Sequence, residues 1–171
     1  MADVTISSLP LGTPSGNGVI PFSLGGNTYQ APVSGLFQNR PAFSAFNTVN
    51  QLTKPSGYKM QFRTQVLNIG GFYDFENDDF IVPYNGVYQL NFNAILNNRN
   101  GGNYTAVGFW NSRTNTWMAT SCYESSALVR TFQLSQIYPL LAGDRVSVKW
   151  YTDGTSLDID NSGLYTGYLI G

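Results

Sequence analysis

The sequence predicts an all-β domain of about eight to ten short strands, closed as a sandwich or barrel. Three observations carry this. Tyr88, Leu90, Phe92, Ala94 and Leu96 alternate with Gln89, Asn91 and Asn93, which is the two-residue period of a strand with one apolar and one wet face. Gly, Pro, Asn and Asp clusters punctuate the chain at short intervals. No segment carries a helical period of useful length.

In chain order, residues 1–38 form a first region, rich in Gly, Pro, Ser and Thr and almost free of charge. Within it, Val19–Leu24 and Thr28–Val33 pattern as a hairpin across Gly25-Gly26-Asn27. Its many apolar residues argue against a bare linker, so we expect an extended arm that orders on a larger assembly, docking through Ile6, Leu9, Val19 and Phe22. Residues 39–171 then read as a packed β domain. Strands are predicted at Pro41–Phe46, Tyr58–Phe62, Gln65–Asn68 and Phe80–Val82, with Gly70-Gly71 breaking the run. Pro83 and Gly86 mark the turn into the long central strand that ends at Leu96. Tyr104–Trp110 and Thr116–Ser121 form a hairpin across Asn111–Asn115. Val129–Gln136 alternates next, then Val146, Val148 and Trp150, and Leu164–Ile170 closes the pattern. Asp74–Asp79 and Asp153–Asn161 read as acidic loops.

Composition narrows the function. The 171 residues carry a net charge of -1, which gives no electrostatic footprint for nucleic acid or anionic membrane. No stretch is long and apolar enough to insert in a bilayer. Histidine is absent, which removes the commonest general base and metal ligand. Cys122 is the only cysteine, so no disulfide forms within a subunit; a buried or inert thiol is expected. MADVTISSLP lacks the basic start and apolar run of a signal peptide, so the expected route is synthesis in the cytoplasm.

Several motifs in order resemble one family. Phe80, Gly86, Tyr88 and Leu90 are spaced like the aromatic signature of the globular head of the first complement component, which usually has Phe at the position of Leu90. Pro41-Ala42-Phe43-Ser44-Ala45 resembles its first strand, and Val66-Leu67-Asn68 to Tyr73 the segment before its central hairpin. Leu141-Ala142-Gly143-Asp144-Arg145-Val146 and Tyr165-Thr166-Gly167-Tyr168-Leu169-Ile170 are similar to its penultimate turn and closing strand. That family shares a jelly roll with the tumour necrosis factors. The resemblance implies a jelly-roll β-sandwich of about ten strands that assembles as a homotrimer. The collagen-like Gly-X-Y stalk of the animal proteins is missing, and residues 1–37 instead resemble the amino-terminal segments of bacteriophage fibre and tail proteins.

The resulting expectation is a bacteriophage virion protein: a trimeric fibre or spike head that touches the host surface, with other virion proteins as partners of the arm. The alternative is a capsid decoration protein; a free adhesin fits less well. Tyr88, Phe92, Tyr165, Tyr168 and Ile170 offer aromatic and aliphatic area for the threefold interface. Asn98, Arg99, Asn103, Arg113 and Trp117 sit on or beside turn tips and suit contact with a host-surface glycan. Core packing competes for Trp110, Trp117 and Trp150. No catalytic residue, cofactor or metal is expected. The carboxylates of both acidic loops, Asp74, Glu76, Asp78 and Asp79 included, read as solvated turns rather than a calcium site or a glycosidase pair.

Overall fold

The computed structural model describes residues 19–24, 27–32, 40–97, 104–124 and 129–170. The chain divides into two compact units, Met1–Asn39 and Arg40–Gly171. In the first, β1 (Val19–Leu24) pairs antiparallel with β2 (Asn27–Pro32), Leu24 opposite Asn27 and Val19 opposite Pro32. The second strand thus begins one residue earlier than its pattern predicts. Ile6 and Leu9 lie outside the described residues, whereas Val19 and Phe22 lie on β1, opposite Pro32 and Tyr29.

Among its described residues the second unit holds strands joined by turns and no helix: β3 (Ala42–Phe46), β4 (Gln51–Lys54), β5 (Thr64–Ile69), β6 (Tyr73–Asp74), β7 (Asp79–Ile81), β8 (Gly86–Asn97), β9 (Tyr104–Asn111), β10 (Thr116–Glu124), β11 (Val129–Leu140), β12 (Arg145–Thr152), β13 (Leu157–Ile159) and β14 (Leu164–Leu169). One five-stranded sheet runs β10-β9-β12-β7-β6. A seven-stranded sheet runs β4-β13-β8-β14-β3-β5, with β11 also on β8. All pairs are antiparallel, and the two sheets form a jelly-roll sandwich.

β8 is the organising element. Ten of its twelve residues, Tyr88 to Asn97, alternate buried and half-buried, as the sequence predicts. β11 pairs with it from Gly86 to Asn97 along one edge, so β14 and β13 share the other. Among the described residues β11 has no further ladder partner, and an edge strand tolerates Pro139, which cannot donate to a ladder.

Inward side chains of both sheets make one aromatic core. Phe43 stacks on Tyr73 and Phe80 at 4.7 and 4.8 Å, and Tyr165 meets Phe109 at 5.9 Å, so rings join the sheets. Burying such a side chain stabilises by roughly 1.5–3 kcal/mol. Trp150 and Phe132 are fully buried here, as their alternation predicts.

Three expectations need correction. Tyr58–Phe62 is not a full strand: it contributes a single bridge, Lys59 opposite Lys149, beside β12. Asp153–Asn161 is not merely a loop, because β13 lies within it with Leu157 and Ile159 buried. Of the two alternatives for Cys122 the buried one falls, because the residue is exposed on β10.

Candidate recognition surface

The outer face of the seven-stranded sheet follows from the alternation. With Tyr88 to Leu96 inward, Val87, Gln89, Asn91, Asn93 and Ile95 face out from β8. Register sets Ile137 of β11 and Tyr168 of β14 on either side of Gln89. Ile170 donates its backbone N–H to the Val87 carbonyl at 2.7 Å. Val87, Ile137, Tyr168 and Ile170 therefore gather at one end of this face, and Ile137 and Tyr168 are 57% and 46% exposed. Across β3, Ile69 lies opposite Ala42, which itself lies opposite Tyr168. Beside this apolar end lies a polar cluster. Gln89 Nε2 donates to Ser135 Oγ at 2.8 Å, Ser135 Oγ donates to Asn91 Oδ1 at 2.8 Å, and Asn91 Nδ2 donates to Thr166 Oγ1 at 3.2 Å. An open depression of about 340 Å³ lies over Asn91, Asn93, Gln133 and Leu164.

This geometry corrects the expected interface set. Tyr88, Phe92 and Tyr165 are 0%, 3% and 0% exposed within a single subunit. Their area is taken up between the two sheets, and Tyr165 Oη donates to the Val146 carbonyl at 3.2 Å. Only Tyr168 and Ile170 of that set face out. Val87 and Ile137 join them, and the sequence signal for both was apolar residues at outward positions.

The outer face of the five-stranded sheet carries a second arrangement. Trp117 lies opposite Trp110 at the turn end of the β9–β10 hairpin, their rings 5.4 Å apart at 77°. A bulge follows at Met118, so Met118 and Ala119 both pack against the core while Trp117 stays outside, 40% exposed. Gly108 makes the bulge possible, because a Cβ there would stand 2.0 Å from the Ala119 carbonyl oxygen. On β12, Lys149 lies opposite Gly108, and its Nζ sits 4.2 Å from the centre of the Trp110 ring. Burial lowers the pKa of this ammonium, and repulsion from Lys59 adds to the effect against the pull of Asp79.

Of the turn-tip residues, Asn98, Arg99 and Asn103 lie outside the described residues. Arg113 is committed within the subunit: its Nε bonds Asp144 Oδ1 and pins the 112–115 turn to the β11–β12 connection. Burial works to raise the Asp144 carboxyl, but hydrogen bonds from Arg113, the Leu141 amide and Asn111 outweigh it and hold it below the usual carboxylate range.

The acidic loops are occupied by the fold. Asp74 accepts from the backbone of Glu76 and Asn77, at 3.0 Å each. Asp78 accepts from the Phe62 amide at 2.8 Å, and Asp79 pairs with Lys59 at 2.8 Å. Asp153 and Asp158 cap the Tyr104 and Thr53 amides at 2.9 and 2.7 Å. Among the described residues no three carboxylate, thiol or imidazole groups converge as a metal site would need.

Fold and surface together define a globular jelly-roll head. Residues 42–170 match the C1q domain family, and the chain belongs to it. The globular domain of zebrafish complement 1qA protein superposes with a TM-score of 0.57 at 18% identity, over 77% of this chain and 98% of that one. No curated protein matches the sequence.

Proposed function

We propose that the unit 40–171 is a recognition head that works as a homotrimer and contacts a cell surface, carried on an arm formed by residues 1–39. The observation that carries it is the apolar end of the seven-stranded sheet, where Val87, Ile137, Tyr168 and Ile170 stand exposed together. Large apolar residues gathered on one face favour association, and closed symmetry uses such a face once per copy. Domains of this family typically form homotrimers and bind ligands, which supports the same reading.

The setting is a bacteriophage particle, with the arm docked on other virion proteins. The support is the sequence of residues 1–37, with its likeness to fibre segments and its hairpin β1–β2. Such a head adsorbs to the host and leaves chemistry to other components.

Two measurements test this. Sedimentation of the purified chain at micromolar concentration is expected to give three copies, and a monomer would remove the assembly. Labelled protein is expected to bind host cells. If intact particles instead carry it at capsid threefold positions and cells do not take it up, it reinforces the shell.

A further inference from the structure

We propose that the outer face of β9, β10 and β12 binds a carboxylate-bearing pyranose of a surface polysaccharide, stacked on Trp117 with its carboxylate on the Lys149 ammonium. This rests on the recognition role and assigns it a site and a ligand class.

The platform is built into the core. The bulge turns Met118 and Ala119 inward and leaves the Trp117 ring outside, on a hairpin held close by Gly108. Trp110 stands nearly perpendicular to it, so the two indoles form a floor and a wall. Sugar rings present C–H faces that suit an indole face, as other apolar ring surfaces do. One row further along the sheet, Thr120, Gly108 and Lys149 lie side by side on three strands. Gly108 adds no side chain to the middle of this row, where the Thr120 methyl leans over it. Beyond them, past the buried Ala106, Tyr104 and Tyr151 pack at 6.1 Å as the far wall. From Trp110 to Tyr104 the strand rises roughly 20 Å, the length of a short oligosaccharide.

Charge selects the ligand. Among the described residues Lys149 bonds no carboxylate, and it faces the like charge of Lys59 across a backbone bridge. Asp79 could relieve it, but Lys59 holds Asp79 at 2.8 Å. Among the described residues this ammonium, over the Trp110 ring, thus has no carboxylate partner, and it matches a single carboxylate. Three unused N–H donors at a half-buried position gain from a charged acceptor more than from a hydroxyl.

The test is an NMR titration of the full chain, following the three tryptophan indole N–H signals. The probes are a glucuronate-terminated oligosaccharide and its glucose-terminated counterpart at equal ionic strength. Trp110 and Trp117 are expected to shift saturably with the acidic probe, while buried Trp150 stays fixed. The neutral probe should bind at least about tenfold more weakly, the worth of one charge-assisted contact. Lys149→Gln should bring the acidic probe down to the neutral level, and Trp117→Ala should remove both. Absence of saturable shifts at millimolar probe, or equal binding of the two probes, overturns the site. Cell binding separates the two readings. Loss of uptake with Trp117→Ala supports the site, and equal uptake by both forms overturns the site alone. Sugar binding without uptake of the parent protein overturns the recognition role and keeps the site.

Discussion

Asp78 is nearly excluded from water on the β6–β7 turn, held by the Phe62 amide at 2.8 Å and only loosely by Arg63 at 3.7 Å. Burial raises its carboxyl to about 6, against 3.8 in an unfolded chain. The folded state therefore holds this proton more tightly, so the group favours folding below pH 3.8 and that contribution is lost as pH rises toward 6. Asn accepts the same amide hydrogen bond and tolerates the backbone φ of +55° at this position. Asp78→Asn should stabilise by about 2 kcal/mol at pH 7.5 and by nearly nothing at pH 4, measured by urea unfolding at both. A pair of tyrosines gives opposite signs. Tyr73 Oη is buried with no partner among the described residues, so Tyr73→Phe should be neutral or stabilise by up to about 1 kcal/mol. Tyr165→Phe strips the Val146 carbonyl of its donor and should cost about 1–2 kcal/mol in the same assay.

At the level of the strand, the β9–β10 pair depends on a missing side chain. A Cβ on Gly108 would meet backbone, not a movable side-chain end, at 2.0 Å. Gly108→Ala should therefore cost about 3 kcal/mol and raise hydrogen exchange along β10 before the rest of the sheet. How much of this was legible varies with the element. β8 could be read outright, because its two-residue period survives in the burial of every residue from Tyr88 to Asn97. β13 could not, since Asp153, Asp158 and Asp160 surround its two buried aliphatics and make a three-residue strand look like a solvated loop. Tyr58–Phe62 failed the other way: its apolar residues do serve the core, through Met60 and Phe62, but with little ladder. The candidate surfaces were half legible. Alternation of Val146, Val148 and Trp150 leaves Lys149 on the opposite face, but cross-strand register, which sets Lys149 on Trp110, is a property of pairs of strands. The aromatic count misled for Tyr88, Phe92 and Tyr165, because two large sheets need more ring volume between them than the sequence reading allowed.

For the molecule as a whole, the proposed assembly should fail separately from the fold. Ile137 is the most exposed of the gathered apolar residues on β8, β11 and β14, and little within the subunit depends on it. Ile137→Glu should leave the circular dichroism and melting of the subunit nearly unchanged while sedimentation shifts from three copies to one. The order of the strands carries a further consequence. β14, the last of the unit in sequence, is inserted between β3 and β8 rather than laid on an edge. During synthesis the seven-stranded sheet cannot close until residues 164–169 have left the ribosome, so Phe43 and Phe92 wait, uncovered, for nearly the whole length of the unit to be translated. The nascent unit is at its most adhesive just before β14 emerges, and that is the moment at which a chaperone would matter most.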